Sequence, residues 1–100
     1  MKIFSKGSSL RITDVSELNA STAPGLRDEG RSSLKAEHMA LEIEMGSTRF
    51  LDSSGLGALI ALQKTMAQRG GALRIVNPSA TVVQILELTR LHRVLEIVRE

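Results

Sequence analysis

Two stretches decide the fold: Met39-Ala40-Leu41-Glu42-Ile43-Glu44-Met45, and Asp52-Ser53-Ser54-Gly55-Leu56-Gly57-Ala58-Leu59-Ile60-Ala61-Leu62. In the first, Met39, Leu41, Ile43 and Met45 alternate with Ala40, Glu42 and Glu44, the period-two pattern of a strand with one buried face. In the second, Leu56, Leu59, Ile60, Leu62 and then Met66 follow helical spacing until Gly70-Gly71 stops the run, which predicts a helix from about Ser54 to Arg69. Asp52-Ser53-Ser54-Gly55-Leu56-Gly57 therefore lies at a strand-to-helix joint and places two hydroxyls there. A hydroxyl at that position can cap free helix amides, and it can also accept a phosphate.

Working outward, residues 2–5 predict a short edge strand, and Gly7-Ser8-Ser9 a turn into the alternating run Leu10-Arg11-Ile12-Thr13-Asp14-Val15. Asn19-Ala20-Ser21-Thr22-Ala23-Pro24 supplies capping residues and an early proline, so a helix follows through Leu26, Glu29 and Leu34 to about Lys35, weakened in its middle by Gly30. Beyond Gly70-Gly71, Leu73-Arg74-Ile75-Val76 reads as a strand, and Asn77-Pro78-Ser79 breaks it before a helix from about Ala80 to Thr89. The final run Val94-Leu95-Glu96-Ile97-Val98 fits either a strand or a last helical turn.

Strands alternating with helices imply an α/β layer with parallel pairing. Strands covered on both faces are apolar on both, yet Arg11, Thr13, Glu42 and Glu44 leave one face polar. The helices are therefore expected mainly on one face of the sheet.

The totals narrow the function. One hundred residues suit a single domain, residues 1–100, with a modest core of Leu, Ile, Val and Ala. Thirteen Lys and Arg against eleven Asp and Glu give a net charge of +2, scattered instead of clustered, and there is no Trp or Tyr to stack a base or sugar. Direct binding to nucleic acid is not expected. With no Cys, disulfides and thiolate metal sites are excluded. Neither a signal peptide nor an apolar run of membrane-spanning length is present, so the cytoplasm is expected and direct membrane contact is not. An enzyme reading finds no Gly-x-Ser-x-Gly elbow, phosphate-binding Lys loop or His-Glu-x-x-His helix, and His38 and His92, at element edges, read as solvated surface residues.

At this point the chain resembles the STAS domain of the anti-sigma factor antagonist type. The resemblance rests on Phe50-Leu51-Asp52-Ser53-Ser54-Gly55-Leu56-Gly57, on Glu17-Leu18-Asn19 with Thr22-Ala23-Pro24, on Leu73-Arg74-Ile75-Val76-Asn77-Pro78-Ser79, and on Ile85-Leu86-Glu87-Leu88-Thr89 with Leu91. It implies a mixed sheet of four or five strands with helices mainly on one side, and a regulator that is not an enzyme and needs no cofactor or metal. It implies that the unphosphorylated chain binds an anti-sigma factor that is also a serine kinase and so releases that factor's target. The kinase then phosphorylates Ser53, with Ser54 as the rival acceptor, and a PPM-type phosphatase reverses the step. Asn19, Thr22, Asp52, Ser53, Ser54, Gly55 and Leu56 form the implied partner surface.

Within that reading Ser54 is expected to cap or bond in the first helical turn, Asp52 either caps the turn or orients the neighbouring hydroxyl, and Gly55 and Gly57 leave room for a kinase. For Gly57, tight packing of helix on sheet is an equal expectation. Several positions depart from the family pattern: Asn19 stands where an acid is usual, Glu44 where Asp is usual, Gly46-Ser47 where Ser-Gly is common, and Arg90 where a glycine often ends the penultimate helix. The last implies a left-handed cap that is strained or absent, in which case the helix runs on toward His92. A STAS-like subunit or scaffold of a membrane transport or signalling complex, without phosphorylation, is the alternative kept open by Asn19.

Overall fold

The computed structural model describes residues 1–100. In chain order it has β1 (Lys2–Lys6), β2 (Ser9–Thr13), β3 (Glu17–Leu18), α1 (Ala23–Ser33), β4 (Ala40–Glu44), β5 (Phe50–Leu51), α2 (Ser53–Gln68), β6 (Ala72–Val76), α3 (Ala80–Leu88), a 3-10 turn (Leu91–Arg93) and β7 (Glu96–Val98). The main sheet has five strands in the order β1-β2-β4-β6-β7. Only β1 runs antiparallel to its neighbour, and the other pairs are parallel, so the sheet is mixed as expected. The final apolar run resolves into both of its readings, a helical turn followed by a strand.

β1 and β2 form a tight hairpin because Gly7 opens the two-residue turn with φ of +60°, a conformation glycine adopts without a steric penalty. The parallel pairs then bring like residues into rows. Ile3, Ile12, Ile43, Ile75 and Ile97 line up across all five strands, and Leu10, Leu41 and Leu73 form a second row. Ile12, Ile43 and Ile75 are fully buried under Leu26, Leu59, Leu62, Met66 and Leu86 of the helices, in one continuous core. This is the apolar face.

On the opposite face, the alternate positions place Arg11 beside Glu42, Glu42 beside Arg74 and Arg74 beside Glu96. Opposite charges therefore meet at each step: Arg11 Nη2 lies 3.1 Å from Glu42, and Arg74 Nε 3.0 Å from Glu96. Cross-strand pairs of this kind favour the register in which they meet. Arg11 also reaches Glu100, and its hydrogen bond holds the Glu100 carboxyl below its ordinary range. The polar face foreseen from Arg11, Thr13, Glu42 and Glu44 is thus a charge ladder, and the helices take the other side.

The expectation for His38 is corrected. His38 is not a solvated surface residue: it is 1% exposed, its Nδ1 accepts from the Lys35 amide at 2.9 Å, and its Nε2 lies 3.0 Å from Ser5 Oγ. The acceptor role at Nδ1 places the proton of the neutral ring on Nε2, which donates to Ser5. The ring ties the loop after α1 to β1 at the sheet edge. His92, by contrast, is exposed as expected.

Of the two alternatives open at Arg90, the structure has the strained left-handed cap. α3 does not run on toward His92 but stops at Leu88, and Arg90 itself takes the left-handed conformation, with φ of 61° and ψ of 15°. The cap is therefore present and built from a residue whose Cβ makes that conformation costly, by roughly 1–2 kcal/mol relative to glycine. Part of this is offset by the larger unfolded-state entropy of glycine. Arg90→Gly is expected to raise stability by about 0.5–1 kcal/mol, read as a higher denaturation midpoint at unchanged slope. An unchanged or lower midpoint would contradict the strain.

Candidate functional site

The joint is positioned by a second, two-stranded sheet too short to show any periodicity in the sequence. β3 and β5 pair in parallel, with Glu17 opposite Phe50 and Leu18 opposite Leu51, and the Asp52 amide continues the ladder to the Leu18 carbonyl at 3.2 Å. Consequently the two chains leave this pair side by side, one into the Asn19–Thr22 turn and the other into α2. Of the seven residues expected in the partner surface, all lie at this one end of the molecule.

Asp52 is the N-cap of α2: its backbone is extended, with φ of −113° and ψ of −170°, and its side chain accepts from the Gly55 amide at 3.0 Å. A carboxylate there also meets the positive end of the helix. Of the two roles open to Asp52, the structure shows the cap. Ser54 does not cap, because the helix begins at Ser53 and both serines already lie in its first turn. Both are exposed, and Leu56 is half-buried against the core.

The two glycines divide differently from expectation. Gly55 is buried, and a Cβ there would lie 2.6 Å from the Leu18 carbonyl oxygen and 2.6 Å from Leu51 Cδ1. It is Gly55, not Gly57, that lets helix and sheet approach, so Gly55 offers no open contact to a partner. Gly57 is exposed and a Cβ there would meet nothing within 4 Å. The sequence carried a signal for this: Gly55 is in helical phase with the buried Leu59, Leu62 and Met66, whereas Gly57 falls with Ala61, Lys64 and Gln68.

The neighbouring turn is closed by Asn19 and Thr22. Asn19 Oδ1 accepts from the Ser21 amide at 2.9 Å and the Thr22 amide at 3.2 Å, while Thr22 Oγ1 accepts from the Asn19 amide at 2.9 Å and donates to the Glu17 carbonyl at 3.0 Å. From residue 19 the turn uses one side-chain oxygen, so Asn serves its geometry as an acid would, without the charge. Between this turn and α2 lies a hollow of about 360 Å³, with Ala20, Ala23, Pro24 and Arg27 on one wall and Ser54, Gly57 and Ala58 on the other. Arg27, a site residue that sequence reasoning passed over, is its one charged group.

Comparison with known proteins follows the same lines. The chain is similar to the anti-sigma-B factor antagonist of Bacillus subtilis (strain 168), with 25% identity over 88 residues, covering 88% of this chain and 80% of that one. It is 28% identical over 81 residues to the anti-sigma-B factor antagonist of Listeria monocytogenes, covering 81% of this chain and 71% of that one. In three dimensions it superposes on the anti-sigma factor antagonist SpoIIAA in its unphosphorylated form with a TM-score of 0.83 at 16% identity, over 99% of this chain and 86% of the other. The phosphorylated form of Bacillus SpoIIAA gives 0.78 at 16% identity, over 99% and 89%. With the STAS domain pattern matched over residues 7–100 and the five-stranded mixed sheet with three helices in place, the chain belongs to the STAS domain family.

Proposed function

We propose that this chain is an anti-sigma factor antagonist working by partner switching, and that it is not itself an enzyme. Unphosphorylated, it binds an anti-sigma factor serine kinase through the joint and the Asn19–Thr22 turn; phosphorylation of Ser53 by that kinase ends the binding, and a PPM-type phosphatase restores it. The observation that carries the reading is the position of Ser53. It is exposed in the first turn of α2 and relieved of capping by Asp52, so its hydroxyl can be modified without unmaking the helix.

The electrostatics support a switch. A phosphate on Ser53 adds about −1.5 to −2 charge beside the positive end of α2, which the free chain tolerates. Against an apolar or acidic partner surface, the same dianion is desolvated and uncompensated. The names of the relatives point the same way, and a regulator of this kind works in the cytoplasm.

The test is incubation of the chain with the anti-sigma factor kinase of its own organism and ATP, followed by phosphopeptide mass spectrometry. Phosphate on Ser53, absent from Ser53→Ala and retained in Ser54→Ala, is the expected result. Phosphate on Ser54 alone would move the assignment to the neighbouring residue, and no phosphate on either would favour the subunit or scaffold reading.

A further inference from the structure

The hollow beside Ser54 does not end there. A second one, of about 320 Å³, begins at the same Gly57 and continues along α1 and α2 past Arg31, Ala61 and Lys64 to Gln68. Together they form one groove on the outer side of the two helices. From Ser54 to Gln68 it follows about 20 Å of α2 at 1.5 Å per residue.

Its charge is one-sided. Arg27, Arg31 and Lys64 line it and no Asp or Glu does. Arg27 pairs only with its chain neighbour Asp28, at 3.1 Å, whereas Arg31 and Lys64 take part in none of the ion pairs of the molecule. Arg31 instead bridges the two helices by donating from Nε to Thr65 Oγ1 at 3.1 Å, which leaves its other guanidinium donors free to the groove. In a chain whose net charge is only +2, three cations on one track, two of them without an ion-pair partner, are a local excess.

The groove is also partly apolar. Ala20, Ala23, Pro24, Ala58, Ile60 and Ala61 contribute to its walls, and Gly57 at its centre leaves the floor open. Small apolar walls flanked by cations suit a helix carrying one apolar and one acidic stripe. A nucleic acid strand is a poorer match: the chain has no Trp or Tyr, and its two Phe residues lie away from the groove, on β1 and β5.

We infer that the α1/α2 groove docks an acidic amphipathic helix of a protein partner, in a contact that runs on from the joint at Ser54 along α2 and leaves Ser53 itself uncovered. The inference rests on the partner-binding reading above only for which protein carries the helix. Docking there would hold a partner beside the serine joint while leaving Ser53 itself accessible.

The test needs no kinase, so its outcome is independent of whether Ser53 is phosphorylated. The purified chain is titrated with a synthetic amphipathic helical peptide bearing glutamates along one stripe, and followed by backbone amide NMR. Parallel titrations use a scrambled peptide of the same composition and an oligothymidylate of equal charge. Shifts concentrated at Arg27, Arg31, Gly57, Ala61, Lys64 and Gln68, stronger with the patterned peptide than with either control, are expected. Lys64→Glu, an exposed change that breaks no bond within the chain, should weaken binding at least about tenfold, and Arg31→Gln by a smaller factor. Absence of groove shifts, equal response to the scrambled peptide or the oligothymidylate, or undiminished binding by folded Lys64→Glu would each overturn the inference.

Discussion

Ser53→Asp is expected to weaken binding to the anti-sigma factor kinase by at least about 100-fold, some 2.7 kcal/mol, while Ser53→Ala binds as tightly as the unmodified chain and no longer releases. The sizes follow from where the side chain stands. Ser53 is exposed in the first turn of α2, and Asp52 performs the capping, so neither substitution removes a structural bond. Stability of both variants should stay within about 0.5 kcal/mol of the parent, as for surface changes elsewhere. What changes is the charge presented to the partner. Shifting a population from 99:1 bound to 1:99 takes about 5.5 kcal/mol, and a single carboxylate delivers only part of what a phosphate dianion does. The phosphorylated chain should therefore bind more weakly than Ser53→Ala by a wider margin than Ser53→Asp does. Calorimetric titration of the unmodified chain, the two variants and the phosphorylated chain against the kinase, with thermal melts alongside, measures both halves. Equal affinities for Ser53→Ala and Ser53→Asp would remove the electrostatic basis of the switch.

Much of the frame that places Ser53 is legible in the sequence. The alternation from Met39 to Met45 marked β4, and the polar residues Arg11, Glu42 and Glu44 correctly sent the helices to one face, because burial imposes its period on the sequence. Register left no such local trace. The row from Ile3 to Ile97 joins residues far apart in the chain, and each isoleucine by itself is only one more apolar position. β3 and β5 are two residues each, below the length at which any period shows, yet they bring the Asn19 turn to the serines. The burial of His38 leaves no local trace for a related reason: its partner Ser5 is 33 residues away, and no neighbour in sequence announces that contact. At the joint, Asp52 and Ser54 were both reasonable caps, and only the extended backbone at Asp52 decides between them.

The joint itself should fail if Gly55 is given a side chain. In Gly55→Ala the new Cβ would stand 2.6 Å from the Leu18 carbonyl oxygen, 2.6 Å from Leu51 Cδ1 and 2.9 Å from Leu18 Cγ. The first of these is backbone, held in the short ladder by the Asp52 amide, and Leu18 and Leu51 are both buried, so no flexible group can move aside. Relief requires lifting the first turn of α2 away from β3. Overpacking of this kind costs typically 1–3 kcal/mol, and here it should lie near the upper end, about 2–3 kcal/mol after the gain in helix propensity. For a domain of this size that is a fall of roughly 10–20 °C in Tm. Gly57→Ala supplies the matched control. It makes the same chemical change two residues later on the same helix, but on the open side, where the added methyl meets nothing within 4 Å. There the helix propensity of alanine acts unopposed, and a gain of about 0.5–1 kcal/mol is expected. The binding readout separates the glycines again. Lifting the first turn of α2 carries Ser53 away from the Asn19–Thr22 turn, so Gly55→Ala should weaken kinase binding even at temperatures where it remains folded. A Gly55→Ala chain as stable as the parent, or a Gly57→Ala chain that loses as much, would show that the helix does not rest on β3 through Gly55.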